Sequence, residues 1–188
     1  MSSALETLKL NGKTYSIFQD EHVSCPRKDF DHLAFMACWH GRYDLGDKHS
    51  MSIEECDRLI ITSKAVSLPI YMYDHSGTTI RTYPYDCPWD SGQVGHIYLT
   101  REQILKEQGI TRMSPKARVW AKKILVAEVE EYDQYLRGEV YGYTVTTKKH
   151  CDNCGHDEIE VEDSCWGFYG MDHLKQTLDL EGAAWEST

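Results

Sequence analysis

The stretch "SPKARVWAKKILVAEVEEYDQYLRG", residues 114–138, decides the fold. Ser114 is an N-cap residue, Pro115 stands at the first helical position where its missing N–H costs nothing, and Gly138 supplies the stop. Residues 115–137 are therefore predicted to form the longest helix. Its apolar residues Ala117, Trp120, Ala121, Ile124, Leu125, Val129, Tyr132 and Leu136 recur at steps of three and four. They share one face, and a long helix with one apolar face has to lie across a sheet.

The flanking chain supplies strands for that sheet. "LKLNGKTYSIF" alternates around Asn11-Gly12, a dipeptide suited to a two-residue type I′ hairpin turn. "HLAFMACW", residues 32–39, is predicted to be a buried strand. Ser52 and Glu55 form a capping box that opens a helix over 53–64. "SLPIYMYD" and "TTIRTY" pair across the turn His75-Ser76-Gly77, and "GHIYLT" follows as a short strand. Thr100 and Gln103 repeat the capping box ahead of a two-turn helix that Gly109 ends. Beyond Gly138, "EVYGYTVTT" pairs with "EIEVEDSCW" across the tip "KKHCDNCGHD", and a last helix over 172–180 leads to a tail from 181. Hairpins joined by helices without regular strand-helix-strand alternation predict an α+β fold. It is expected to be a single domain over 1–188, a largely antiparallel sheet with one long and several short helices packed on one face.

Composition excludes several functions. At 188 residues, with no Pro/Ser/Gly-rich linker, one core is expected. A net charge of −10 argues against direct binding of nucleic acid, which needs clustered Lys and Arg. No apolar run is long enough to span a bilayer and "MSSALETLKL" has no signal-peptide pattern, so a soluble protein of the cytoplasm, with no membrane partner, is expected. The 7 cysteines are odd in number and irregular in spacing, which suits reduced thiols or a metal site better than a disulfide framework.

"YPYDCPWDSGQVGHIY", residues 83–98, is the segment expected to carry function, because turn chemistry explains its Pro and Gly residues but not its other side chains. Trp89, Asp90, Gln93 and His96 are the principal binding candidates, with Asp86, Tyr73 and His75 beside them. A hydrolytic site would use Asp86 or Asp90 as acid or base, Ser91 or Cys87 as nucleophile, and His96, His75 or His40 as proton carrier. No spacing selects one such set. Glu128, Glu130, Glu131 and Asp133 make the long helix acidic, either as an ordinary solvated face or as a surface imitating a phosphate backbone. Cys151 and Cys154, with His156 adjacent, form half of a zinc site, and zinc is the one cofactor to which the sequence points. The same residues also read as a plain hairpin tip. "DSCWGF", residues 163–168, is similar to the segment around the nucleophile of papain-like proteases. Yet Cys165 ends a predicted strand among carboxylates that would raise its pKa, so it reads as a buried core cysteine. Nucleotide, metalloprotease and serine-hydrolase fingerprints are absent.

The segments "MACWHGRYDLGDKH", "LPIYMYDHSG", "CPWDSGQVGHIYLTRE", "EVEEYDQYLRGEVYGY" and "DSCWGFYG" together resemble a family of small phage and mobile-element proteins, over about residues 38–170. That resemblance implies a context, not a fold or an activity. In that context the expectation is a phage-encoded accessory protein that binds and inhibits a bacterial defence component in the host cytoplasm. Its partner would be a host defence protein or a nucleic-acid-binding enzyme, met through the acidic face and the Trp89 loop. The alternative is a small hydrolase or ligand-binding protein with its pocket at the 83–98 loop.

Overall fold

The computed structural model describes residues 3–150 and 155–187. Strands β1 (Glu6–Leu10) and β2 (Lys13–Gln19) form the first hairpin, with Asn11 at φ 51° and Gly12 at φ 77° as the type I′ turn demands. The chain then runs through α1 (Pro26–Asp29), β3 (Phe35–Cys38), α2 (Ile53–Thr62), β4 (Val66–Asp74), β5 (Thr78–Arg81), β6 (Ser91–Leu99), α3 (Arg101–Gln108) and α4 (Pro115–Leu136). It ends in β7 (Val140–His150), β8 (Asp157–Tyr169), α5 (Met171–Thr177) and β9 (Glu186–Ser187). All strand pairings are antiparallel and the fold is α+β. The elements fall into two units: Met1–Ser24 with Gly138–Thr188, and the continuous insertion Cys25–Arg137.

In the first unit the sheet order is β8-β7-β2-β1-β9. Ile17, Tyr143 and Val145 point to one face and pack with Leu174 of α5, which is fully buried. The predicted tail is partly ordered, since Glu186 and Ser187 pair with Thr7 and Glu6 and cover the β1 edge.

In the second unit the order is β3-β6-β4-β5, so β6 inserts between strands that precede it in the chain. Ala117, Ala121, Leu125, Val129 and Tyr132 of α4 pack on Met36, Ile70, Met72 and Ile97, and each buried Leu, Val, Ile or Met among them contributes roughly 1.5–3 kcal/mol. Ala37 and Tyr98, the alternate residues of β3 and β6, form a second cluster with Cys56 of α2. Here the structure differs from the single sheet with helices on one face. Among the described residues there are two sheets, and the second carries helices on both faces, α4 against Met36, Ile70, Met72 and Ile97 and α2 against Ala37 and Tyr98.

The predicted caps are present. Ser52 Oγ accepts the Glu55 N–H at 3.2 Å while Glu55 Oε2 accepts the Ser52 N–H at 2.8 Å, and Thr100 with Gln103 does the same at 3.3 and 2.9 Å. Ser114 Oγ accepts the Ala117 N–H at 3.1 Å, and Gly109 ends α3 at φ 60°.

A charged node that the sequence did not reveal ties this unit together. Arg27, 5% exposed, donates Nε to Asp47 Oδ1 at 2.9 Å, Nη2 to Asp47 Oδ2 at 2.5 Å and Nη1 to Glu128 Oε2 at 2.7 Å. Glu128 Oε1 accepts the Leu33 and Ala34 N–H groups at 3.0 Å each, and Asp47 Oδ2 accepts the Met36 N–H at 2.7 Å. Burial acts to release the Arg27 proton, but the two carboxylates outweigh it and raise the guanidinium pKa. Removing one member of such a node leaves a buried charge unpaired, at a cost of about 3–5 kcal/mol.

Charge divides unevenly. The first unit holds 14 Asp and Glu against 5 Lys and Arg, a net of −9, and the second holds 16 against 15, a net of −1. Among the described residues no helix is long and apolar enough to cross a membrane.

Candidate functional site

The segment between β5 and β6 is held from within. The Arg81 guanidinium lies between two rings, 4.1 Å from the centroid of Tyr83 and 3.7 Å from that of Tyr85, and donates Nε to Tyr83 O at 3.1 Å and Nη2 to Pro84 O at 2.6 Å. Tyr85 also stacks on Tyr73 at 5.4 Å, and Tyr73 on His75 at 6.0 Å, so a pile of π faces runs from Arg81 to the end of β4. Further along, Ser91 Oγ donates to Cys87 O at 2.5 Å and the Asp74 N–H donates to Asp90 O at 2.9 Å. A loop so anchored costs little to order on binding.

Each expected site residue then has a place. Trp89 is 91% exposed. The Asp90 carboxylate lies 3.4 Å from His75 Nδ1 and accepts from the Cys87 thiol at 3.9 Å, while Asp86 is exposed. Gln93 Nε2 donates to His96 Nε2 at 3.1 Å, and the same ring nitrogen is 3.8 Å from Asp57 Oδ1. Trp89, Asp90 and Gln93 line a polar cleft of about 530 Å³ with Trp39, His40, Arg42 and Asp74, whereas His96 does not line it. Asp74 in that cleft accepts the Tyr43 hydroxyl at 3.0 Å and lies 3.6 Å from Arg42 Nη1.

β6 reaches back into the loop, beginning at Ser91 rather than at Gly95 as expected from "GHIYLT". Two features place it. Opposite Ile70 and Tyr71 the register steps from Gly95 to Gln93, leaving Val94 as the extra residue of a bulge. Gly95 permits β3 to approach, since a Cβ there would stand 2.2 Å from Ala37 O.

Among the described residues the expected hydrolytic set is not assembled. The Ser91 hydroxyl is bonded to a carbonyl and the Cys87 thiol to a carboxylate, and no imidazole bonds either among the described residues. His40 Nδ1 accepts the Arg42 and Tyr43 N–H groups at 3.3 and 3.2 Å. Burial, then the Asp47 charge, pushes the Cys38 thiol up to about 12, away from the thiolate.

The four carboxylates of α4 do not form one solvated face. Glu128 belongs to the Arg27 node, and Asp133 Oδ1 accepts the Thr79 hydroxyl at 2.6 Å and the Ile80 N–H at 2.7 Å while Oδ2 meets Arg137 Nε at 3.0 Å. Glu130 and Glu131 are exposed. The sequence showed four carboxylates close together on the long helix but could not show that Arg27, 101 residues from Glu128, claims one of them. Cys165, expected in the core, is exposed on β8.

Cys151 and Cys154 of the expected zinc half-site lie outside the described residues, and His156 beside them is exposed. Among the described residues no group of three or more His, Cys, Asp or Glu side chains is placed to hold a metal ion. The comparisons add no relative: no family model, no curated protein and no solved structure matches the chain.

Proposed function

We propose that this chain is a phage-encoded accessory protein that binds and inhibits a bacterial defence component in the host cytoplasm, with the Trp89 loop as its contact. One observation carries the proposal. Trp89 is 91% exposed on a loop whose neighbouring polar side chains are engaged in holding the loop itself. A large aromatic presented by a preorganised support is the usual anchor of a protein interface, and a rigid loop avoids the ordering cost of binding. Exposed Asp86 and Glu130 lie in the same unit as Trp89, and Glu130 lines a cleft with Arg81, Tyr83 and Tyr85, so the surface around the loop carries both signs of charge. The phage context rests on the sequence resemblance.

The polar cleft beside the loop supports a second use, the binding of a small polar ligand between Arg42, Asp74 and Gln93. The two are separable by mutation. Host strains each carrying one defence system, and expressing this protein, are challenged with a sensitive phage. The wild-type protein restores plating on at least one strain, and Trp89→Ala loses that effect while its melting curve is unchanged. Loss of an interface anchor corresponds to about 30-fold weaker binding. Arg42→Ala retains protection if the loop is the contact. Full protection by Trp89→Ala, or relief of no strain by the wild type, overturns the proposal.

A further inference from the structure

We infer that the first unit carries a separate binding site for a small aromatic cation, in the cleft between the open face of its sheet and residues 19–22. The cleft encloses about 450 Å³, within the range of small-molecule sites. Its floor is aromatic. A Cβ built on Gly142 would lie 2.1 Å from Trp166 Cε3 and 2.3 Å from Cδ2, so the indole rests on the backbone at Gly142, in space that no other residue type leaves free. Phe18 stands beside it, ring centroids 6.0 Å apart and planes 34° apart. Trp166 remains 48% exposed. Its ring is fixed by its support and still offers surface to a ligand, whereas Ile17, Tyr143 and Val145 on the opposite face are covered by α5.

The wall is equally fixed. Gln19 Nε2 donates to Gly138 O at 2.7 Å, the Asp20 N–H to Val140 O at 2.9 Å and the His22 N–H to Asp20 Oδ1 at 2.9 Å. Asp20 and Glu21 supply carboxylates to a lining whose one other titratable side chain, among the described residues, is His22 and which contains no Lys or Arg. The unit around them has a net charge of −9, from 14 acidic and 5 basic side chains. An aromatic floor, a carboxylate rim and a negative field together select a ligand with an apolar ring and a positive charge. The ring stacks on Trp166 and the ammonium faces Asp20 and Glu21. The site is independent of the Trp89 loop.

The test uses the full chain and three probes of similar size: phenethylammonium, 2-phenylethanol and 3-phenylpropionate. Binding is read by calorimetry and by the ¹H–¹⁵N signals of Gly142 and the Trp166 indole. The ammonium is expected to bind about tenfold more tightly than the alcohol, with the carboxylate weakest and the contrast shrinking as salt is raised. Asp20→Asn with Glu21→Gln removes the contrast but leaves ring binding, and Trp166→Ala removes both. Equal binding of ammonium and alcohol, shifts confined to other residues, or no saturation by the ammonium overturns the proposal. So does a concentration-dependent dimer abolished by Trp166→Ala, which would assign the face to a second copy. Phage protection by the Asp20→Asn, Glu21→Gln variant is expected to stay at the wild-type level, which keeps this result distinct from that of the Trp89 loop.

Discussion

At the scale of single residues, the loop owes its shape to side chains whose roles are mutual. Arg81 is useful because Tyr83 and Tyr85 flank it and because its donors reach the carbonyls of Tyr83 and Pro84. Gly95 is the reverse case, a position defined by what cannot be there. A methyl group at 2.2 Å from Ala37 O would push β3 away from β6. Gly95→Ala is therefore expected to destabilise the protein by about 1–3 kcal/mol, measured by denaturant unfolding, and to disturb the Gln93–His96 pair beside it. Unchanged stability would mean that β3 and β6 can separate at no cost. Neither contact was visible in sequence, since "SGQVGH" shows two glycines but not which one meets a neighbouring strand.

At the scale of elements, the sequence was most informative where the cause is local. The boundaries of α2, α3 and α4 follow from Ser52 with Glu55, Thr100 with Gln103 and Gly109, and Ser114 with Pro115, because a cap satisfies N–H groups within three residues of itself. Ser52→Ala is expected to cost about 1 kcal/mol by thermal or chemical unfolding, since it also releases the reciprocal Glu55 contact. A loss below about 0.3 kcal/mol would show that the packing of Cys56 holds α2 without its cap. The elements that the sequence missed are short. α1 has four residues and β9 two, and β9 exists because β1 offers an unpaired edge. The acidic helix face also failed at this scale, since helical spacing predicts which residues share a face but not which distant side chains meet it.

At the scale of the whole molecule, the chain forms two units with separate sheets, and each buries a tyrosine phenol. Burial, opposed by the Gly46 N–H bond, pushes Tyr132 up to about 12 in the second unit. Burial and the bond its hydroxyl donates to Asp163 push Tyr143 up to about 12 in the first. An unfolded tyrosine ionises near pH 10. The folded chain therefore holds more protons between pH 10 and 12, so the contribution of these groups to stability is complete below pH 10 and is lost as pH rises through 12. Unfolding followed at increasing pH should show that decline, and it should shrink in Tyr132→Phe and Tyr143→Phe. Tyrosine absorbance that titrates fully near pH 10 while the protein remains folded would refute it. Charge is likewise organised at this scale. A net of −10 is a sequence property, but its concentration as −9 in the unit made from the two ends of the chain follows from which segments fold together.

By itself, the sequence determined the α+β class, the Asn11-Gly12 hairpin, the capped helices and the apolar face of α4. Each depends on interactions spanning a few residues, so residue order alone encodes it. Only the tertiary structure decided that there are two sheets, that Glu128 and Asp133 are internal partners, that Trp89 projects and that Trp166 rests on Gly142. Those outcomes turn on residues many positions apart competing for the same partners, and only the folded arrangement sets that competition.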